Sequence, residues 1–189
     1  MGKNNKTRNL VLCALFAALI AVGAFIKIPV PPIPITLQVL FVTLAGLLLG
    51  KRLAAVAVAV YLVIGLAGVP VFAAGGGPGY IFQPTFGYLL GMLVGAYLTG
   101  LTVEKRNDYS FKTMFLASLV NLAAIYGIGL LYFWLVANYY VGSQLAVSAW
   151  LMTGLIMTIP GDLLCNLLAS KLAQRLFPVI NKKMKSKLR

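Results

Sequence analysis

The sequence holds three acidic residues, and one of them, Asp162, lies inside a long apolar segment. The other two, Glu104 and Asp108, fall in a short polar segment between two apolar runs. Asp162 precedes Lys171 by nine residues, or about 13 Å along a helix, which places it near the middle of a bilayer about 30 Å thick. A carboxylate at that depth costs about 3 kcal/mol on insertion scales unless it faces protein or a wet cavity. We therefore expect Asp162 to bind a ligand or a proton. The alternative is that it holds helices together.

Two asparagines extend this polar set. Asn121 follows Lys112 by nine residues, so it should lie at about the depth of Asp162 on a different helix. Asn166 comes four residues after Asp162 and therefore shares its helix face. For an asparagine taken alone, hydrogen bonding between helices is the favoured interpretation. Beside an acid that has no basic partner in the core, the set indicates a ligand or proton site.

Other kinds of chemistry find little support. The sequence contains no histidine, and Cys13 and Cys165 both fall inside apolar runs, which argues against a zinc site or a disulfide. Segment 46–52 resembles a phosphate-binding loop, but it has three residues between its glycines where four are required, and Arg52 where serine or threonine belongs. We therefore predict no catalytic residue, no metal, no cofactor and no ATP site.

Composition indicates the class of protein that positions these side chains. Of 189 residues, 61% are hydrophobic and 10% are charged, and the mean hydropathy is +0.94, far above that of a soluble domain. At about 20 apolar residues per span, the length fits an all-α polytopic membrane protein with six transmembrane helices in a single domain, 1–189. The predicted spans, of which the second and third are short, are Thr7–Ile28, Thr36–Gly50, Leu53–Val69, Pro84–Val103, Phe111–Ala137 and Leu145–Phe177.

The basic residues predict how these spans are oriented. Lysines and arginines cluster before the first span, after the second, after the fourth and at the carboxyl end, and six spans place all four clusters on one face. Because basic residues are retained in the cytoplasm, both termini should be cytoplasmic and the protein should lie in the cell membrane. Lys27 alone is predicted on the outer face. The net charge of +13 then reflects topology and contact with anionic lipid, and no nucleic acid partner is expected.

Two segments on the outer face look suited to ligand contact. Residues 27–38, which end at Gln38, are rich in proline, apolar and stiff, as is more typical of a lid than of a solvated connector. Residues 75–85 combine glycines, which let the backbone approach a ligand, with Gln83 and with Tyr80 and Phe82, whose aromatic rings could stack on one. A flexible turn is an equally good interpretation of the second segment.

Two stripes of small residues predict close contacts between helices. They are Ala14, Ala17, Ala18 and Ala21 in the first span, and Gly87, Gly91 and Gly95 in the fourth. Packing within the chain is the favoured interpretation of the glycines. The alanine face could equally dock another membrane subunit.

Three longer motifs, taken together, resemble a known family. They are GLAGVPVF at 65–72, FQPTFGYLLG at 82–91 and IPGD at 159–162. Over essentially its whole length the chain resembles the BioY family, the biotin-specific substrate-binding (S) components of energy-coupling factor (ECF) transporters. The middle motif is specific, whereas a glycine-rich loop alone would not be.

The resemblance implies a fold, a ligand and partners. It implies the six-helix S-component fold, capture of biotin from outside, and coupling to a scaffold transmembrane subunit with two cytoplasmic ATPases. It also implies that Ala14 and Ala18 meet the scaffold. Family members often carry lysine three residues after the motif aspartate, where this chain has Cys165, so no role of that lysine is transferred.

The chemical groups of biotin match the polar side chains Asp162, Asn121 and Asn166. Its ureido group offers two N–H donors and a carbonyl, which suit Asp162 beside Asn121 or Asn166, and its rings suit aromatic side chains. Its carboxylate suits loop amides, tyrosine hydroxyls or Lys27. The ligand-binding candidates are Asp162, Asn121, Asn166, Gln38, Phe82, Gln83, Tyr88 and Tyr126.

Two other functions stay open at this stage. An S component for another vitamin would keep the fold and change the polar set. An intramembrane enzyme that uses Asp162 would normally need a second acid, a nucleophile or a metal set, which the predicted core does not supply. Because neither an ATP site nor a proton relay is evident, we expect transport only when an ATP-driven partner moves the chain.

Overall fold

Six α-helices make up most of the computed structural model, which describes residues 3–28, 35–140 and 158–180. The predicted all-α class and the count of six helices are confirmed. Two-residue strands β1 and β2 pair antiparallel, with Lys27 opposite Thr36, and a short 3₁₀-helix spans Pro78–Phe82. The elements are α1 (Lys3–Phe25), β1 (Lys27–Ile28), β2 (Ile35–Thr36), α2 (Gln38–Leu49), α3 (Lys51–Leu66), α4 (Phe86–Arg106), α5 (Phe111–Tyr139) and α6 (Ile159–Ile180).

Four of the described helices, α1, α4, α5 and α6, are long and apolar enough to cross a membrane. The other two are shorter, with 12 residues in α2 and 16 in α3. At about 1.5 Å per residue they extend roughly 18 and 24 Å, less than a hydrocarbon core of about 30 Å. The predicted shortness of the second and third segments is therefore confirmed.

Predicted boundaries at the end of the bundle that carries β1 and β2 were wrong by two or three residues. The third helix ends at Leu66 instead of Val69, and the fourth begins at Phe86 instead of Pro84.

The first helix ends at Phe25 instead of Ile28, and the second begins at Gln38 instead of Thr36. The reason is that Lys27–Ile28 and Ile35–Thr36 pair with each other as strands. Residues 29–34 of the predicted lid, and residues 145–157 of the predicted last span, lie outside the described part of the chain.

Glycines bring α4 and α5 into close contact. A Cβ on Gly91 would lie 2.7 Å from the Cα of Ile125, and a Cβ on Gly95 would meet the side chain of Asn121. Neither position has room for a side chain, so the two helices pack along the glycine stripe, as predicted. This contact places Tyr88 of α4 against Tyr126 of α5, with the ring centroids 6.1 Å apart.

Polar side chains close the turn between α4 and α5. Asn107 ends α4 in the left-handed region at φ 46°, and the Ser110 side chain caps α5 by accepting from the amide of Thr113. Asp108 accepts from the Ser110 hydroxyl at 2.6 Å and also from the Thr113 hydroxyl. These hydrogen bonds, chiefly the one from Ser110, lower the pKa of Asp108 to about 2. The carboxylate therefore stays ionised at physiological pH and keeps the turn closed.

Candidate functional site

A cavity of about 180 Å³ lies where β2, α2, α4, α5 and α6 meet, beneath the loop that precedes α4. Five of the eight ligand-binding candidates line it, namely Gln38, Gln83, Tyr88, Tyr126 and Asp162. Aliphatic side chains from α2, α4 and α5 complete most of the wall. A largely apolar wall with a few converging polar groups is typical of a site for a small organic ligand.

Asp162 joins α6 to α5 at the wall of this cavity. Its Oδ2 accepts a hydrogen bond from the Tyr126 hydroxyl at 2.6 Å, and that hydroxyl lies 2.7 Å from Oγ1 of Thr158. The amide of Asp162 donates to the Thr158 carbonyl at 3.1 Å, which fixes the first turn of α6. Asp162 is 6% exposed, so the carboxylate faces protein and cavity, the environment that an intramembrane acid needs.

The Asp162 carboxylate presents a hydrogen-bond acceptor at the cavity wall, beside two tyrosine rings. A carboxylate has about four lone-pair sites, of which the Tyr126 hydroxyl occupies one. The Tyr88 ring stands edge-on to the Tyr126 ring at 89° and adds apolar surface beside the carboxylate. A planar polar group with N–H donors, carried on an apolar body, matches this arrangement.

Gln38 anchors a second polar chain in the wall. Its Oε1 accepts from the Thr36 hydroxyl at 3.2 Å, and its Nε2 donates to the Tyr61 hydroxyl at 2.7 Å. The Tyr61 hydroxyl in turn donates to the carbonyl of Val71 at 3.2 Å. This chain of hydrogen bonds links β2 and the start of α2 to α3 and to the loop that follows it.

The loop before α4 contributes side chains that are absent from the eight ligand-binding candidates. Tyr80 is buried against the Phe72 ring at 4.6 Å and lines the cavity, whereas Phe82, a predicted contact, is 55% exposed and stacks on Tyr140. Burial raises the pKa of Tyr80, which keeps its phenol neutral. The contact of Phe82 with a ligand stays a prediction. Other polar residues of the wall that the candidate set omitted are Thr36, Thr85 and Thr158.

The two asparagine candidates lie outside the wall of this cavity. Nδ2 of Asn121 donates to the Thr43 hydroxyl at 2.8 Å, and that hydroxyl donates to Oδ1 of Asn166 at 3.0 Å. Nδ2 of Asn166 also donates to the Ser118 carbonyl at 3.1 Å. Thr43, Asn121 and Asn166 are all fully buried, and their network ties α2, α5 and α6 together. Their position matches the helix-tying alternative, and their contact with a ligand stays a prediction.

The alanine stripe of α1 divides between two faces. Ala14 and Ala18 are exposed, whereas Ala17 is 5% exposed and packs in the core beside Cys13. Ala17 therefore lies at the buried edge of the stripe, and Ala14 and Ala18 lie at its exposed edge. Ala14 and Ala18, the predicted docking residues, lie four residues apart on the outward face.

Comparison with known proteins gives consistent matches. The family model described as "BioY family" matches residues 1–182. A probable biotin transporter BioY of Lysinibacillus sphaericus is 40% identical over 179 residues, which cover 95% of this chain and 91% of that protein. A biotin transporter BioY of Thermotoga maritima is 39% identical over 171 residues, covering 89% and 95%.

One solved structure also matches, and it bears on the fold. It is described as the crystal structure at 2.1 Å of the S-component for biotin from an ECF-type ABC transporter. It superposes with a TM-score of 0.83 at 24% identity, over 93% of this chain and 94% of the other. The predicted S-component-like fold is confirmed, while the assignment of residues 1–189 to a single domain stays a prediction.

Proposed function

This chain belongs to the BioY family, and from that premise we propose that it captures biotin and carries it across the membrane as the substrate-binding subunit of an ATP-driven transporter. The names of its relatives support biotin as the ligand. The observation in the structure that carries the proposal is the buried Asp162 carboxylate, held by Tyr126 in the wall of a mainly apolar cavity. An acceptor of this kind matches the ureido N–H groups of biotin.

The proposed contacts follow from the cavity wall. The ureido group donates to Asp162, and the bicyclic ring and valeryl chain lie against Tyr88 and Tyr126. Gln38 and Gln83 line the cavity from the two outer segments and are further candidates for contact with the ligand. Phe82, Asn121 and Asn166 remain secondary candidates, because their observed contacts are with Tyr140, Thr43 and Ser118 instead of the cavity.

We further propose the setting in which the chain works. It spans the cytoplasmic membrane with both termini inside, and it assembles with a scaffold transmembrane subunit and two cytoplasmic ATPases. The distribution of basic residues supports the orientation, and the family supports the partners. Energy then comes from the partners, so biotin accumulation in membranes that lack every partner subunit would contradict this mechanism.

An S component for another vitamin is the main rival, and an intramembrane enzyme is the more distant one. We propose that the chain is not an enzyme and that biotin is a transported ligand, bound without a cofactor. The protein purified in detergent from cells fed several vitamins should carry biotin, identified by mass spectrometry. Labelled biotin should then be displaced by unlabelled biotin and not by excess riboflavin or thiamine. Displacement by another vitamin at lower concentration than biotin would overturn the assignment.

The outward face of α1 supplies a test of the partner contact. Replacing Ala18 by leucine fills the space that a closely packed scaffold helix needs, and overpacking of this kind costs about 1–3 kcal/mol. We expect biotin uptake by cells that contain all subunits to fall about tenfold, while biotin binding by the isolated chain stays unchanged.

A matched control is available on another helix. Ala123 of α5 is also exposed, so Ala123→Leu adds the same volume to a different face and should leave uptake intact. Equal uptake by the Ala18→Leu and wild-type proteins would remove this face of α1 from the partner contact.

A further inference from the structure

Lys27 is set apart from the other described basic residues. It follows α1 and sits beside the start of α2, whereas Lys51, Lys105 and Lys112 lie at the opposite helix ends, where α3 begins, α4 ends and α5 begins. The ion pair between Lys51 and Glu104, at 3.1 Å, belongs to that opposite end. Lys27 therefore carries the positive charge on the side of the molecule where the ligand cavity opens.

The contacts of Lys27 place its ammonium at the rim of the cavity. In the β1–β2 pair it lies opposite Thr36, a residue of the cavity wall. Its Nζ donates to the carbonyl of Ala73, which is also part of the wall. The next residue, Ala74, lines the cavity and is exposed as well, so the cavity meets solvent beside it. An ammonium has three donors, so this group can keep its bond to Ala73 and still donate to a ligand.

The cavity is electrostatically asymmetric. Among its described lining residues, Asp162 is the one with a carboxylate, and none of them is basic. Along α4 the wall runs from Thr85 to Met92, about 10 Å at 1.5 Å per residue. Asp162 accepts a hydrogen bond from Tyr126, whose ring contacts Tyr88 within α4. Ala73, in contrast, belongs to the loop before α4. The carboxylate and the ammonium therefore stand at different parts of the cavity, the first in its helical wall and the second beside the loop before α4.

From this asymmetry we infer that Lys27 is a specificity determinant that selects ligands with a free carboxylate at the cavity mouth. The inference deepens the proposed function and rests on it. An anionic end would be repelled at Asp162 and attracted at Lys27, so the two charges also fix the orientation of the ligand. The ligand class is one with uncharged N–H donors at one end and a carboxylate at the other.

Lys27 has a second role that the test must separate from recognition. Its hydrogen bond to Ala73 ties the strand pair to the loop before α4. Loss of this bond could loosen the rim and weaken the binding of every ligand. Biotin and biotinamide distinguish the two roles, because the amide has nearly the same size and shape but no negative charge. If Lys27 only holds the rim together, its replacement would weaken the binding of both compounds by the same factor.

The experiment measures the affinities of biotin and biotinamide for the wild-type chain, Lys27→Met and Lys27→Arg in lipid nanodiscs. We expect the wild type to prefer biotin roughly three- to tenfold, as for a solvent-accessible charge pair. Lys27→Met should abolish this preference by lowering the affinity for biotin alone, and Lys27→Arg should retain the preference. Raising the salt concentration should narrow the preference of the wild type.

The outcomes separate this inference from the proposed function. A wild type that binds biotin and biotinamide equally, or a Lys27→Met variant that weakens both by one factor, would overturn the role of Lys27 and leave biotin transport standing. A wild type that binds neither compound would remove the proposed function, and this inference with it.

Discussion

Biotin binding should weaken about 10- to 100-fold when Asp162 is replaced by asparagine. The variant keeps the shape of the side chain and an oxygen that can accept the 2.6 Å bond from Tyr126, but it loses the negative charge. Hydrogen bonds to charged groups contribute about 1.5–3 kcal/mol, and each 1.4 kcal/mol changes an affinity about tenfold. Titration of the purified protein with labelled biotin in lipid nanodiscs measures the change.

A second aspartate provides the control for this experiment. Asp108 lies exposed in the α4–α5 turn, far along α4 from the cavity wall, so Asp108→Asn makes the same chemical change outside the site. Its biotin affinity should equal that of the wild type. Thermal unfolding of Asp162→Asn should occur at the wild-type temperature or above, because a neutral amide is less costly to bury than a carboxylate. Undiminished affinity in Asp162→Asn would remove the carboxylate from the site.

Counting residues from Lys171 singled out Asp162, which the structure places in the cavity wall, while its depth in the membrane stays a prediction. Helical rise and the position of the nearest lysine fix how far a residue lies from the membrane surface. Gln83 and Tyr88, two other candidates, belong to the motif at 82–91 where α4 begins. These residues line the cavity with Asp162.

The same method could not place Asn121, because depth is only one of the coordinates that define a site. The direction in which a helical side chain points is set by how the helix is rotated in the bundle. In this protein Gly95 leaves room for the Asn121 side chain, and Thr43 accepts its amide hydrogen bond. Both partners come from other helices, so their positions depend on the packed fold and not on the spacing of residues within α5.

The loop before α4 shows a related limit. Tyr80 and Phe82 are two residues apart, and both are aromatic residues beside glycines, so composition does not distinguish them. The 3₁₀ turn places Tyr80 inward against Phe72, and leaves Phe82 outside against Tyr140. The alternation follows from the turn geometry, which glycines at 75 and 77 with positive φ make accessible.

The spacing between α4 and α5 is the property of the fold on which the cavity most depends, and Gly91→Ala tests it. The added Cβ would lie 2.7 Å from the Cα and 2.8 Å from the carbonyl oxygen of Ile125, and 3.1 Å from that of Ala124. These are backbone atoms of a helix and cannot rotate away, so the helices must move apart. Overpacking costs about 1–3 kcal/mol, which corresponds to a fall in melting temperature of roughly 3–10 °C for a chain of this size.

Biotin affinity should fall along with stability in Gly91→Ala, since Tyr88 and Tyr126 lie on the two helices that separate. Gly127 of α5 offers a matched control, because a Cβ there would meet nothing within 4 Å. Gly127→Ala should unfold at the wild-type temperature or slightly above, since alanine favours a helix more than glycine does. Thermal unfolding in detergent and biotin titration compare the three proteins. Equal melting temperatures for the two variants would show that contact at Gly91 does not set the spacing of the cavity walls.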